Sequence, residues 1–177
     1  MSTTLYSASV PVFIHYLRQL RATLDVAENH ARRTGRPLLG AALAEGMFAF
    51  AQQVTIACGF CVRACCPLLG IDAPVLAGGD QDWDQLRTRI DATLAFLNQV
   101  PAATIDAAED MEVVTTAGLV SPVFDGRDFV LSYALPNFFF HLVTAHAVLR
   151  SQGVPVGKED FDGYHQYQAG FSFTQSK

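Results

Sequence analysis

The sequence predicts an all-α fold, a four-helix bundle with a small β-hairpin inserted between the third and fourth helices. Three observations carry this. Four long stretches place apolar side chains at helical spacing and are punctuated by glycine or proline. The run from Phe129 to Leu149 is the least polar part of the chain and supplies a helix for the centre of the core. One short stretch, residues 112–124, is β-branched around a glycine and too small to stand without helices to pack on. Half of the 177 residues are hydrophobic and only 16% are charged, so the chain can bury a sizeable core as a single domain over residues 1–177.

The first helix runs from about Ser9 to Thr34. Ser9 suits the N-cap, Pro11 falls in the first turn, and Phe13, Leu17, Leu20 and Leu24 mark the apolar face. Gly35 and Pro37 end it. A connection holding Leu38, Leu39 and Leu43 is too apolar to float free and is expected against the bundle end. The second helix covers about Met47 to Leu69, with Phe50, Val54, Ala57, Cys61, Cys65 and Leu68 on one stripe, Pro67 in its last turn and Gly70 closing it. Asp80 or Asp82 can cap a third helix that carries Trp83, Leu86, Ile90, Leu94 and Leu97 and stops before Pro101.

Glu112 to Thr116, the Ala117-Gly118 turn and Val120 to Phe124 read as the hairpin, with Pro122 confining its strand to an edge. Asp128 can cap a fourth helix continuing to about Gln152, kinked near Pro136. The alternative is a short turn over residues 128–133 and a separate helix from Pro136. The tail, residues 155–177, has Tyr164, Tyr167, Phe171 and Phe173 at loose spacing, and docks either on the core or on a second subunit.

Net charge is −5, and Arg32, Arg33 and Arg36 at a helix end are the nearest thing to a basic patch. That argues against a nucleic-acid partner, since phosphate binding needs a basic face. The apolar run before Leu149 is broken by Ser132, Asn137, His141 and His146, so no membrane span is expected. The first residues lack the charged and apolar regions of a signal peptide, and the expected location is cytoplasmic.

Asn137 and His141 stand four residues apart in the fourth helix, on one face and one turn from each other. A histidine on such a helix is most often a satisfied core residue. His146 falls on a different face and is expected in peripheral packing. His15 could face a pocket, and His30 and His165 read as surface residues. All four cysteines lie between Cys58 and Cys66. The spacing of Cys58, Cys61 and Cys65 matches a core-facing helical stripe, and no second ligand pair accompanies them, so they read as small apolar residues rather than a metal or redox site.

Tyr6-Ser7-Ala8-Ser9-Val10-Pro11-Val12-Phe13, Met47-Phe48 with Gln52-Gln53-Val54, Ala108-Glu109-Asp110, and Ala134-Leu135-Pro136-Asn137-Phe138-Phe139-Phe140-His141 occur in an order that resembles an uncharacterised branch of the DinB/YfiT-like metalloenzyme superfamily, a domain of unknown function. The resemblance extends to about Phe161. It implies a DinB-like bundle, often dimeric, in which one histidine of the second helix and a His-x-x-x-His pair of the fourth hold a metal, and some members of which are thiol-dependent transferases or isomerases. Carried over, the pair falls on Asn137 and His141, and the second-helix ligand falls near Gln53. This chain therefore has Gln, Asn and His where a metal-binding member has three histidines.

Divalent metals of the zinc type favour imidazole, thiolate or carboxylate over a neutral amide oxygen. His141 is the only good candidate ligand, and the expectation is a polar pocket of Gln53, Asn137 and His141 without a tightly bound metal. Two functions stay open: a small molecule bound between the second and fourth helices, with His141 as acid or base, or a non-catalytic homodimeric structural or interaction protein. The aromatic tail and the run Phe138-Phe139-Phe140 lend some support to the second: three successive positions span about 200° of helix, so at least one turns away from any single neighbour and must meet another helix, the hairpin or another subunit.

Overall fold

The structure is a computed structural model that describes residues 3–168 and Phe171. Its long helices follow the apolar periodicity. They are α1 (Val10–Thr34), α2 (Phe50–Leu69), α3 (Trp83–Leu97) and, after two short helices, a hairpin and a π-helical stretch, α6 (Leu135–Ser151). Around the bundle α6 lies against α2, α2 against α3, and α3 against α1. The ring is closed by aromatic side chains. Phe13 of α1 meets Phe138 of α6 edge-on at 5.0 Å, and Tyr16 meets Phe139 at 4.9 Å. Phe13, Phe50, Phe129 and Phe138 are fully buried at the centre.

The helix ends differ in part from the sequence expectation. Ser9 occupies the N-cap of α1, but its hydroxyl donates back to the Leu5 carbonyl at 2.6 Å and leaves the helix amides alone. The connection after α1 forms a 3-10 turn, Leu38–Gly40, with Leu38 buried and Leu43 exposed. The second helix begins at Phe50 rather than Met47. The Phe50 amide donates to Ala41 at 2.8 Å and the Ala49 amide donates to Gln52 Oε1, which fixes the entry three residues later. Of the two candidate caps of α3, Asp82 is the one used, accepting from the Gln85 amide at 2.8 Å.

Helix α2 is long and apolar enough, by length and composition, to cross a bilayer, contrary to the expectation that no segment qualifies. Thirteen of its residues, all four cysteines among them, are nonetheless buried against the other helices. The thiols carry no disulfide, and burial pushes those of Cys58 and Cys65 up to about 12. They are protonated core side chains.

After α3 comes a single-turn helix the sequence does not announce, α4 (Ala102–Ala107), whose Asp106 carboxylate accepts from the Tyr6 amide at 2.8 Å. The hairpin follows, with β1 (Glu112–Val114) antiparallel to β2 (Val123–Asp125) in the register Val113 opposite Phe124. Pro122 stands outside the ladder, lending only its carbonyl to the Thr115 amide. Val113 is buried, and the Phe124 ring packs on Tyr133 at 5.5 Å and Phe129 at 6.2 Å, so the helices stabilise a sheet too small to persist alone.

From Gly126 to Ser151 the backbone winds without a break: α5 (Gly126–Asp128), a π-helical stretch (Phe129–Ala134), then α6. Its cap is Asp125, which accepts from the Asp128 amide at 2.7 Å; Asp128 itself is not the cap. Pro136 offers no N–H to an α-ladder, and the wider π turn immediately before it accommodates the gap. The tail then forms α7 (Lys158–Asp162), which docks on α1 of the same chain. His15 Nε2 lies 2.7 Å from the Asp162 carbonyl, and the His15 and Tyr164 rings stack at 4.6 Å. Phe173 lies outside the described residues.

Candidate functional site

The site is built where α2 and α6, the most extensively packed pair of helices, face each other. Gln53 stands one turn into α2 and is buried; His141 stands in the middle of α6 and is 8% exposed. His141 Nδ1 and Gln53 Oε1 are 2.7 Å apart. The amide orientation is fixed by its other end, because Gln53 Nε2 donates to the Phe48 carbonyl at 3.2 Å, leaving Oε1 as the acceptor. The proton between the two residues therefore belongs to His141 Nδ1. That selects the tautomer whose Nε2 carries a lone pair.

Burial lowers the His141 pKa below its ordinary value, so the ring is neutral at physiological pH. Aromatic rings hold it in place. Phe60 of α2 stacks on it at 5.6 Å and 20°, Phe140 meets it edge-on at 5.1 Å, and Phe48 lies 6.4 Å away. Among the described residues Nε2 has no hydrogen-bond partner, and it is not one of the sealed, unpartnered side-chain nitrogens, which are His30 Nε2 and Arg89 Nε. Phe48 and Phe140 are 52% and 59% exposed, so the nearly buried imidazole lies just beneath two aromatic rings at the surface.

The third residue of the expected pocket behaves differently. Asn137 Nδ2 donates to the Tyr133 carbonyl at 2.7 Å, on its own helix and inside the π-helical stretch. Gln53 and His141 are brought together by a hydrogen bond; Asn137 is spent on the backbone. Among the described residues no three His, Cys, Asp or Glu side chains are grouped as metal ligands would be. Of the other histidines, His146 packs edge-on against Phe161 at 5.4 Å. His165 approaches the buried Asp162 carboxylate at 2.5 Å. His30 is buried, contrary to its reading as a surface residue. Glu109 pairs with Arg127 at the base of the hairpin.

Sequence reasoning did not single out Phe48 and Phe60 as walls of this site. Phe60 looks like one more core position, and nothing in the spacing shows that Phe48 sends its carbonyl to Gln53. A cavity of about 610 Å³ on another side of α2 was equally invisible. It is walled by Phe60, Arg63, Arg89, the connection after α2 and the hairpin, but not by Gln53, Asn137 or His141.

A family model for a domain of unknown function, DUF1993, matches residues 5–162. The chain belongs to the DUF1993 family. A crystal structure of a DinB family member protein from Shewanella denitrificans is similar over 93% of this chain and 95% of that one, at 31% identity and a TM-score of 0.80. This DUF1993 chain therefore has a DinB-like helical fold with a small two-stranded antiparallel sheet. No curated protein matches it.

Proposed function

We propose that this DUF1993 protein binds a small molecule at the α2–α6 face, using a hydrogen-bonded Gln53–His141 pair where metal-binding relatives of the fold use three histidines. The observation that carries the reading is the 2.7 Å contact between His141 Nδ1 and Gln53 Oε1. It gives the buried imidazole a partner, fixes its tautomer and turns Nε2 towards a proton or hydrogen-bond donor of a ligand. A neutral imidazole held below its ordinary pKa is a competent acceptor near neutral pH. Phe48, Phe60 and Phe140 supply apolar area around that single polar anchor, the usual composition of a small-molecule site.

The donor set does not suit a tightly held divalent ion. Two of the three positions offer neutral amides, and the Asn137 amide N–H is directed at a backbone carbonyl. One imidazole with its Nδ1 already engaged leaves a single strong ligand.

Ligand-observed NMR screening of a fragment library against wild type and His141→Ala tests the reading. Hits on the wild type that disappear in a folded His141→Ala protein are expected. A library that yields no His141-dependent hit contradicts it.

A second reading rests on a different observation. Phe138 and Phe139 pack inside the bundle, whereas Phe140, although one edge meets His141, is 59% exposed and Val143, three residues on, is 51% exposed. An apolar strip of α6 left facing outward supports a homodimer, in which the same face would serve a structural or interaction role.

A further inference from the structure

We infer that the cavity of about 610 Å³ between α2, the connection after it and the hairpin is a second binding site, for a small organic carboxylate with an apolar body. It shares the Phe60 ring with the His141 site but none of Gln53, Asn137 or His141, and it does not rest on that reading. Among the described residues four arginines are partly buried: Arg21, Arg63, Arg87 and Arg89. Arg21 pairs with Asp25 and Asp91, and Arg87 with Asp25, Glu28 and Asp84. Arg63 and Arg89 pair with no carboxylate among the described residues, and both line this cavity.

A partly desolvated guanidinium without a counter-ion is costly, and the protein compensates these two only with neutral acceptors. Arg63 donates to the Thr116 carbonyl of the hairpin and lies 5.6 Å from the Phe60 ring centroid and 6.0 Å from that of Tyr133. Arg89 donates to the Gly78 carbonyl, while its Nε is sealed from solvent with no acceptor at all. Each guanidinium has five donors and spends one on a backbone carbonyl, so donors at the ends of both remain for a ligand, the sealed Nε of Arg89 not among them. One carboxylate, Asp72, stands in the lining, exposed and unpaired with either arginine. Two cations against one solvated anion leave the cavity positive.

The second line is Gly59. It lies in the interior of α2, where glycine is less favourable than alanine. Its φ is not positive, and a Cβ added there would meet nothing within 4 Å. Neither the backbone nor a close neighbour requires glycine. What the missing side chain does is leave bare one wall of the cavity. The remaining walls include Ile56, Pro67, Ile71 and Leu76, which suit an apolar body, and the volume falls within the range of small-molecule sites. Arginine forks match a carboxylate in two-point geometry, which sets the ligand class.

The test is calorimetric titration of the full chain with benzoate and octanoate, with the matched neutral amides benzamide and octanamide, and with inorganic phosphate. The expected result is millimolar or tighter binding of a carboxylate, at least about tenfold weaker binding of its amide, and weaker binding of phosphate, which lacks the apolar body. Arg63→Gln should weaken the carboxylate at least about tenfold. Because Arg63 also anchors the hairpin, Gly59→Leu provides a variant that narrows the cavity while adding a better helix former; it should weaken binding at least about tenfold with the fold intact. Equal binding of acid and amide, phosphate binding tighter than either carboxylate, no binding in the millimolar range, or full binding by Gly59→Leu would each overturn the proposal.

Discussion

His141 is a buried base whose charge state the fold controls. Burial holds its pKa below the ordinary 6.5. In the window between the lowered folded value and 6.5, the unfolded chain binds the proton and the folded chain does not. Stability is therefore fully present above 6.5 and is lost as the pH falls through that window. His146, also held down by burial, contributes with the same sign. The melting temperature should drop between about pH 7.5 and about pH 5.5, and the drop should be smaller in His141→Leu, which removes one of the two groups. A pH response as steep in His141→Leu as in wild type would show that this imidazole already ionises freely in the folded protein. The sequence showed His141 as a polar side chain on an apolar helix, and family resemblance pointed to Gln53 as its neighbour. What it could not show was the choice between two amides. Asn137 and His141 share a helix face at i and i+4, yet the Asn137 side chain reaches the backbone carbonyl at i−4, a local partner that competes with any tertiary one.

Helix α2 carries Gln53 because it is buried between several neighbours, and α6 carries His141 on the side that packs against α2 while Phe140 and Val143 face outward. Their ends were less legible than their middles. Ser9 and Asp128 are good capping residues by type, but Ser9 bonds to Leu5 and the cap of the last helix is Asp125, three residues earlier. Asp82 is a working cap, and Asp82→Ala should destabilise the protein by about 1 kcal/mol in urea unfolding. In contrast, Phe138→Ala removes a fully buried ring that meets Phe13 and should cost about 3–5 kcal/mol in the same experiment. A smaller loss for Phe138 than for Asp82 would mean that α6 does not pack at the centre of the core. The single-turn α4 and α7 were missed for a physical reason: five or six residues hold too few periodic positions to separate a helix from a loop. Tertiary ties, Asp106 to Tyr6 and Asp162 to His15, accompany them in the fold.

Across the whole molecule the pattern of helices and hairpin was readable because apolar periodicity and glycine or proline stops agreed along the chain. The cavities were not, since they arise between elements far apart in sequence: Arg63, Arg89 and Thr116 share one wall system across fifty-three residues of chain. The same is true of the outward strip on α6. If a second copy covers Phe140, light scattering should give twice the chain mass of 19.2 kDa, and Phe140→Glu should return it to the monomer with little loss of thermal stability. A wild-type monomer at high concentration would remove the homodimer reading and leave the small-molecule reading standing.

Gln53 and His141 are hydrogen-bonded at the positions where the family resemblance implies metal ligands, and the proposed function has that pair stand in place of a metal centre. Calorimetric titration of zinc and nickel into wild type and His141→Ala tests it most directly. No binding at micromolar or tighter is expected in either protein, because one imidazole and one amide oxygen make a poor ligand set. Stoichiometric micromolar binding to wild type that His141→Ala abolishes would contradict it.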